Sequence, residues 1–395
     1  MYIKKLLKET KNDGLTPAYV FDVDQFKKTI NMIHNILGDI PLTYSVKANP
    51  FLLECIPPEI NHVEVCSQGE LCACKHYDIP GAKIIYSGVN KEYSDSEEAI
   101  LYGVDICTVE SLLQLKIIQN IAQKHNVKQK ILIRLTSGNQ FGLSEEDLFK
   151  IITEQSNYTN ILICGIHYYS GTLKKKKQIE KDIISLDTFL STAQEKYGFQ
   201  PSLVEYGPGL GCSYFEGDYR EYENEMMDYL TTIIDSFAKK YQVGIEMGRF
   251  MTASCGKYIT KVMDIKNNDD TNYVILDGGI HQLRYHGQKM AMQNPRIEVI
   301  SANDDICERR DSVHYTLCGS LCTVADVLIN DIEIHRLKIG DYIVFDNCGA
   351  YSVSDANLAF LSRKMPIVGL WSENDGFRIV RNHVESFKLN CGDQL

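Results

Sequence analysis

The sequence predicts an α/β chain: a (β/α)8 TIM-like barrel followed by a β-sandwich or β-barrel domain. Three observations carry this expectation. Eight short β-rich runs recur between residues 41 and 247, segments able to form amphipathic helices separate them, and from about residue 252 strands follow one another without long intervening helices.

In chain order, Ala18-Tyr19-Val20-Phe21 is the first strand candidate, ahead of a helix in which Phe26, Ile30, Ile33 and Leu37 fall near helical spacing. The eight barrel runs are 41–46, 62–66, 82–87, 104–108, 130–135, 161–168, 202–206 and 243–247. Between them lie segments such as Glu110 to Gln123, where Leu112, Leu113, Leu115, Ile117, Ile118 and Ile121 make a broad apolar face. Later strands are expected at 257–265, 272–277, 313–318, 341–345 and 377–380. The expected domains are a barrel over 24–251 and a discontinuous all-β domain made of 1–23 plus 252–395, with the first strand pairing into the latter.

A net charge of −11 on 395 residues disfavours nucleic acid or an anionic membrane as partner. No apolar run approaches a membrane span, and the N-terminal Met-Tyr-Ile-Lys-Lys-Leu-Leu-Lys-Glu lacks the apolar core of a signal peptide, so a cytoplasmic protein is expected. The 13 cysteines show no paired spacing of a zinc site, which predicts reduced thiols and no metal. His281, His286 and His314 show no ligand spacing either, and Lys174 to Lys177 read as a solvated helix turn, with an acidic substrate or carrier protein as the alternative.

The chemistry-bearing motifs fall at strand ends, where such barrels place their active sites. Thr43-Tyr44-Ser45-Val46-Lys47-Ala48-Asn49-Pro50 ends a strand with a lysine, either a covalent nucleophile or an exposed ion-pair partner. Tyr206-Gly207-Pro208-Gly209-Leu210-Gly211 is either a plain turn or a loop whose N–H groups can approach a phosphate. In Ile245-Glu246-Met247-Gly248-Arg249-Phe250, the acid could keep a nitrogen heterocycle protonated and the arginine could meet a phosphate or carboxylate; a structural salt bridge is the alternative. Taken together, the three describe a pyridoxal 5'-phosphate site.

With these motifs in order, and with Glu64-Val65-Cys66-Ser67-Gln68-Gly69-Glu70-Leu71, Gly165-Ile166-His167, Gly319 to Asp326 and Gly349-Ala350-Tyr351, the chain resembles the fold-type III pyridoxal-phosphate decarboxylases, the diaminopimelate and ornithine decarboxylase family. The resemblance runs almost end to end, from Thr16-Pro17 to Tyr351, and implies an alanine-racemase-like barrel plus a C-terminal β domain. It implies an enzyme that removes CO2 from an amino acid to give an amine. Lys47 would be the Schiff-base lysine, Glu246 would face the pyridine nitrogen, and the Gly209, Leu210 and Gly211 backbone with Thr172 and Tyr351 would hold the phosphate. Glu64, His167, Gly248 and Arg249 would complete the cofactor site, and Tyr169 would stack on the ring where the family usually has histidine. Cys322 would be the catalytic proton donor or shield, reaching the site from a partner subunit, which implies a homodimer with shared sites.

Thr323 stands where ornithine and diaminopimelate enzymes carry an acid for the distal amine, and Ser320 replaces a proline beside it. The expected substrate therefore lacks a free distal amine, as a siderophore or antibiotic intermediate would, with Arg249, Arg284, Thr323 and Asp326 as candidate contacts. The alternatives are a diaminopimelate decarboxylase making L-lysine, an amino-acid racemase, and a non-catalytic decarboxylase-like binding protein. Racemases of this fold place arginine at the pyridine nitrogen, so Glu246 favours decarboxylation.

Overall fold

The computed structural model describes residues 2–9, 14–218, 222–285, 291–303 and 311–391. The chain divides into two units, one of Lys27–Gly211 with Glu223–Met251, the other of Met1–Phe26, Cys212–Tyr222 and Thr252–Leu395. The strands begin with β1 (Ala18–Asp22), followed by the barrel strands β2 (Leu42–Ser45), β3 (Ile60–Val65), β4 (Ile84–Tyr86), β5 (Ile106–Val109), β6 (Gln129–Arg134), β7 (Ile161–Tyr169), β8 (Leu203–Gly207) and β9 (Val243–Met247). The helices are α1 (Tyr2–Glu9), α2 (Val23–Leu37), α3 (Gln68–His76), α4 (Tyr93–Tyr102), α5 (Leu112–Lys124), α6 (Glu145–Thr153), α7 (Lys176–Tyr197) and α8 (Tyr222–Ala238).

Strands β2 to β9 form a closed parallel barrel in sequence order, β9 pairing back onto β2 with Thr43 opposite Glu246. Ile85, Ile106 and Leu132, with Cys164 and Leu203 packed against them, draw one apolar side chain from each of β4 to β8. That shared layer is what lets short strands, individually too small to fold, hold one another in register. One crossover departs from the expected pattern. Between β2 and β3 the chain makes two 3-10 turns, Val46–Ala48 and Pro50–Cys55, instead of an α-helix. The extended Asn49 (φ −163°) separates them, and its side chain accepts the Phe51 N–H ahead of the pair Pro57-Pro58.

The second unit carries a nine-stranded sheet. Its further strands are β10 (Gly256–Asn268), β11 (Thr271–Leu276), β12 (Ile297–Ile300), β13 (Ser312–Cys318), β14 (Val327–His335), β15 (Tyr342–Phe345), β16 (Ile367–Ser372) and β17 (Gly376–Arg381). The main path runs β14-β13-β11-β10-β1-β16-β17, so β1 pairs antiparallel with β10 and parallel with β16. The N-terminal segment is stitched into the C-terminal sheet at its middle. Helix α1 covers this sheet with Ile3, Leu6 and Leu7, which join Ala18, Val20 and Ile259 in one core, and the Tyr2 ring stacks on Trp371 at 4.1 Å.

Strands β12, β14 and β16 were not expected from the sequence, each for a local reason. β12 is four residues long, β14 carries Asn330-Asp331 at its centre, and β16 follows Pro366 and contains Gly369. Among the described residues, no helix is long and apolar enough to cross a membrane, the cysteines are free thiols, and no group of side chains is placed to hold a metal ion. His286 lies outside the described residues.

The barrel layer makes a direct prediction. Leu132→Ala, at a fully buried site, should lower the urea-unfolding free energy by about 2 to 5 kcal/mol. Leu162→Ala on the adjacent strand, at a site 52% exposed, should stay within about 0.5 kcal/mol. Equal losses at the two sites would contradict the assigned packing.

Candidate active site

Lys47 sits on the 3-10 turn just beyond β2 rather than in the strand itself. The turn is held from below, because the buried Tyr44 hydroxyl donates to the Asn49 carbonyl at 2.6 Å. The Lys47 Nζ lies 2.5 Å from Glu64 Oε2, 3.6 Å from Glu246 Oε1 and 3.6 Å from Cys66 Sγ. Strand register produces this meeting: β2 runs between β3 and β9, with Ser45 opposite Glu64 and Thr43 opposite Glu246. The lysine side chain is 38% exposed while those of the two acids are 4% and 8% exposed, so the amine is the group that a molecule entering from solvent can reach.

Glu246 accepts hydrogen bonds from the Ser45 hydroxyl at 2.9 Å and from His167 Nε2 at 3.0 Å. Burial alone would raise its pKa; the Lys47 charge and the His167 and Ser45 bonds outweigh that and hold the carboxyl well below the usual range. A carboxylate partner fixes the His167 proton on Nε2, and its buried Nδ1 has no hydrogen-bond partner among the described residues. Cys66 lies on the other side of Glu64, its thiol 3.0 Å from Glu64 Oε1 and pushed up in pKa by burial and by that carboxylate.

The glycine loop follows β8. Gly209 has φ +62°, and a Cβ there would stand 2.0 Å from the Gly171 carbonyl oxygen, so a side chain is excluded on both counts. The N–H groups of Gly209, Leu210 and Gly211 make no hydrogen bond among the described residues, although Leu210 and Gly211 are buried. Unpaired buried donors at a loop of this kind call for an anion. Tyr169 is registered opposite Gly207, and a Cβ on Gly207 would press against its ring at 2.7 Å. Arg249 Nε donates to the Thr172 hydroxyl at 3.3 Å, and Gly248 lets β9 end close to the lysine turn, a Cβ there meeting that of Ala48 at 2.8 Å. An amine, an ionised acid, an aromatic ring and a set of open amides are the groups that pyridoxal phosphate requires, and the barrel residues fit it.

The remaining expected residues belong to the sheet unit. Cys322 and Thr323 are exposed on the segment between β13 and β14. Asp326 is buried, and its two oxygens accept the Ile280 and Leu321 N–H groups at 2.7 and 2.8 Å, which ties its loop to the segment of Ile280. Arg284 is exposed and pairs with Asp355 at 3.2 Å. Tyr351 has φ +66°, a backbone state uncommon for a side chain of its size, in a turn where its carbonyl accepts the Ser354 and Asp355 N–H groups.

Four residues with parts in the site escaped the sequence reading. Ser45 and Cys66 lie inside quoted motifs, but only strand register shows what they face. Glu205 is buried on β8 and Asp182 is buried on α7; neither has a motif around it. The basic run was also misjudged at its first position, since Lys174 is 2% exposed and paired with Asp182, and α7 begins only at Lys176.

The comparisons with known proteins agree with this geometry. Residues 23–253 match the family described as pyridoxal-dependent decarboxylase, pyridoxal binding domain, and the chain belongs to that family. It is 28% identical to the L-glutamyl-[BtrI acyl-carrier protein] decarboxylase of Niallia circulans, over 93% of this chain and 91% of the relative. It is 27% identical to the 2-[(L-alanin-3-ylcarbamoyl)methyl]-2-hydroxybutanedioate decarboxylase of Staphylococcus aureus, over 88% and 92%. A diaminopimelate decarboxylase of Bacteroides thetaiotaomicron is also 27% identical, over 85% and 90%. The fold is that of the diaminopimelate decarboxylase of M. jannaschii solved with L-lysine, with a TM-score of 0.86 and 21% identity over 100% of this chain and 94% of that one. The protein is a pyridoxal-phosphate-dependent amino-acid decarboxylase.

Glu205 yields a pH prediction. Burial, with Glu246 and Glu64 adding to it and Thr43 opposing, raises its pKa from 4.5 to about 8. Between these two values the unfolded state binds fewer protons than the folded one, so stability falls as pH rises, by at most about 1.4 kcal/mol per unit. Glu205→Gln should remove this slope: its Tm should exceed the wild-type value at about pH 8, and the gap should close near pH 4. A gap that does not change with pH would mean that the carboxyl carries no proton linkage.

Proposed function

We propose that this enzyme decarboxylates an amino-acid conjugate whose distal end carries no free ammonium, with Lys47 as the residue that bonds the cofactor. The observation that carries the substrate reading is Thr323, a neutral and exposed residue at the motif position where the diaminopimelate and ornithine enzymes carry an acid for the distal amine. The two conjugate-processing relatives support it, one named for an aminoacyl group on a carrier protein and the other for a hydroxy-polycarboxylate conjugate. α-Hydroxycarboxylates offer the hard oxygen donors that chelate metal ions, which fits a siderophore intermediate. Free diaminopimelate is the second reading, supported by the B. thetaiotaomicron relative.

Bound pyridoxal phosphate supplies an electron sink for the pair released from the Cα–carboxylate bond. The protein's part is positioning and proton control. Lys47 donates a hydrogen bond from its amine to Glu64, which orients it. Glu246, kept anionic by Lys47, His167 and Ser45, holds a proton on the cofactor's ring nitrogen. Tyr169 would cover a face of the ring, the open amides of the glycine loop would take the phosphate with Thr172, and Arg249 steadies Thr172. Cys322 delivers the proton that replaces the lost carboxylate, and in this reading it comes from a second copy in a homodimer. The side chain of Val324, two residues on and 99% exposed, gives the same segment an apolar contact for that partner.

CO2 release should be measured on free diamino acids and on their acylated, citrylated and carrier-protein-bound derivatives, with Lys47→Ala as the inactive control. Free diaminopimelate should be poorer than the best derivative by roughly 10- to 150-fold, the equivalent of one missing charge-assisted hydrogen bond. Equal turnover would refute the reading of Thr323. For the dimer, equal amounts of Lys47→Ala and Cys322→Ala protein, each inactive alone, should recover about a quarter of wild-type activity after subunit exchange, because half of the dimers then hold one intact site of two. No recovery would place Cys322 outside a shared site.

A further inference from the structure

Lys174 occupies a position that ordinary surface chemistry does not explain. Its ammonium is buried, 2.6 Å from Asp182 Oδ2 and 3.1 Å from the Gly207 carbonyl oxygen. Its backbone N–H donates to the Gly209 carbonyl at 3.1 Å, and its Cε stands 3.1 Å from where a Cβ on Gly209 would be. The same ammonium faces the Tyr169 ring at 5.5 Å and the Tyr206 ring at 5.3 Å. Asp182, reaching in from α7, is anchored by the Ser170 hydroxyl at 2.9 Å and the Tyr206 hydroxyl at 3.1 Å. A buried ammonium is costly unless it is paired and hydrogen-bonded, and here both conditions are met beside the glycine loop.

The consequence for the loop follows from peptide geometry. The C=O and N–H of a trans peptide point in opposite directions, so fixing the Gly209 carbonyl on Lys174 turns the Leu210 N–H to the far side of the loop. Leu210 and Gly211 are residues whose amides have no partner among the described residues. The Gly207 carbonyl is held by the same lysine, and Pro208 between the two has no N–H to compete.

We propose that Lys174 is a positioning residue of the cofactor site: clamped by Asp182, its ammonium holds the Gly207 carbonyl and so seats the Lys174 backbone N–H on the Gly209 carbonyl, which turns the Leu210 N–H toward the cofactor's phosphate, and its charge against the Tyr169 ring fixes the tyrosine expected to cover the cofactor. The inference rests on reading the loop as the phosphate cradle. It assigns to the first lysine of the basic run a task distinct from that of its exposed neighbours, and it ties the ring-covering tyrosine and the phosphate loop to one cation.

The test compares dissociation constants for pyridoxal phosphate and for pyridoxal, which lacks the phosphate. The proteins are wild type, Lys174→Met, the double variant Lys174→Met/Asp182→Asn, and Lys175→Met as an exposed control. The double variant removes both charges, so it stays informative if the single one leaves Asp182 unpaired and fails to fold. Both Lys174 variants should bind pyridoxal phosphate roughly 10- to 100-fold more weakly, as when an outer-shell partner is lost. Pyridoxal affinity should stay within about threefold, and Lys175→Met should match wild type for both ligands. Unchanged phosphate-dependent affinity, or equal loss for the two ligands, would overturn the proposal. Lys47→Ala separates it from the underlying reading: if wild type shows no Lys47-dependent visible absorbance with pyridoxal phosphate, the site assignment itself fails and the role of Lys174 falls with it.

Discussion

The ionised carboxylate of Glu246 is the constraint around which the barrel's chemistry is arranged. A carboxyl this deeply buried would ordinarily take up a proton, and it is kept charged by a cation, an imidazole and a hydroxyl that come from two separate segments of chain. Ser45 ends β2 and Lys47 lies on the turn just beyond it, His167 comes from β7, and Glu246 itself is on β9. Closure of the sheet between β9 and β2 is therefore an electrostatic requirement as well as a topological one. An open sheet would leave Thr43 and Glu246 out of register and the acid without its partners.

Glu205 shows the same principle from the opposite side. It lies opposite His167 across the β7–β8 pairing, yet no cation among the described residues pairs with it, and burial then makes the neutral acid the stable form at neutral pH. Two glutamates in one barrel thus hold opposite protonation states because of their neighbours alone. This division keeps Glu246 charged without adding a further negative charge from β8.

The glycine loop depends on a comparable pairing one layer out. The Gly207 carbonyl is held by the Lys174 ammonium and the Gly209 carbonyl by the Lys174 backbone N–H, and Asp182 on α7 in turn stabilises that lysine. The strand carrying Tyr169 is held beside the same loop by the register of Tyr169 with Gly207. The parts of the barrel that would touch a cofactor are thus joined by buried polar contacts that never touch it.

Much of this was legible in the sequence. Eight runs of β-formers at regular intervals allow little besides a parallel barrel, and Lys47, Glu246 and the glycines stand in motifs whose order along the chain matches a known family. The sequence also placed Ala18 to Phe21 in the C-terminal sheet, although that pairing joins residues over two hundred positions apart. What it did not disclose were strands interrupted by Asn330-Asp331 or Gly369, the partners Ser45 and Cys66, and the burial of Lys174. Local composition determines which residues can form a strand, a turn or a loop, since those choices depend on neighbours in the chain. Whether a charged side chain is solvated or buried, and whether an acid keeps its proton, depends on groups brought together by register across strands distant in sequence, and only the tertiary structure decides that.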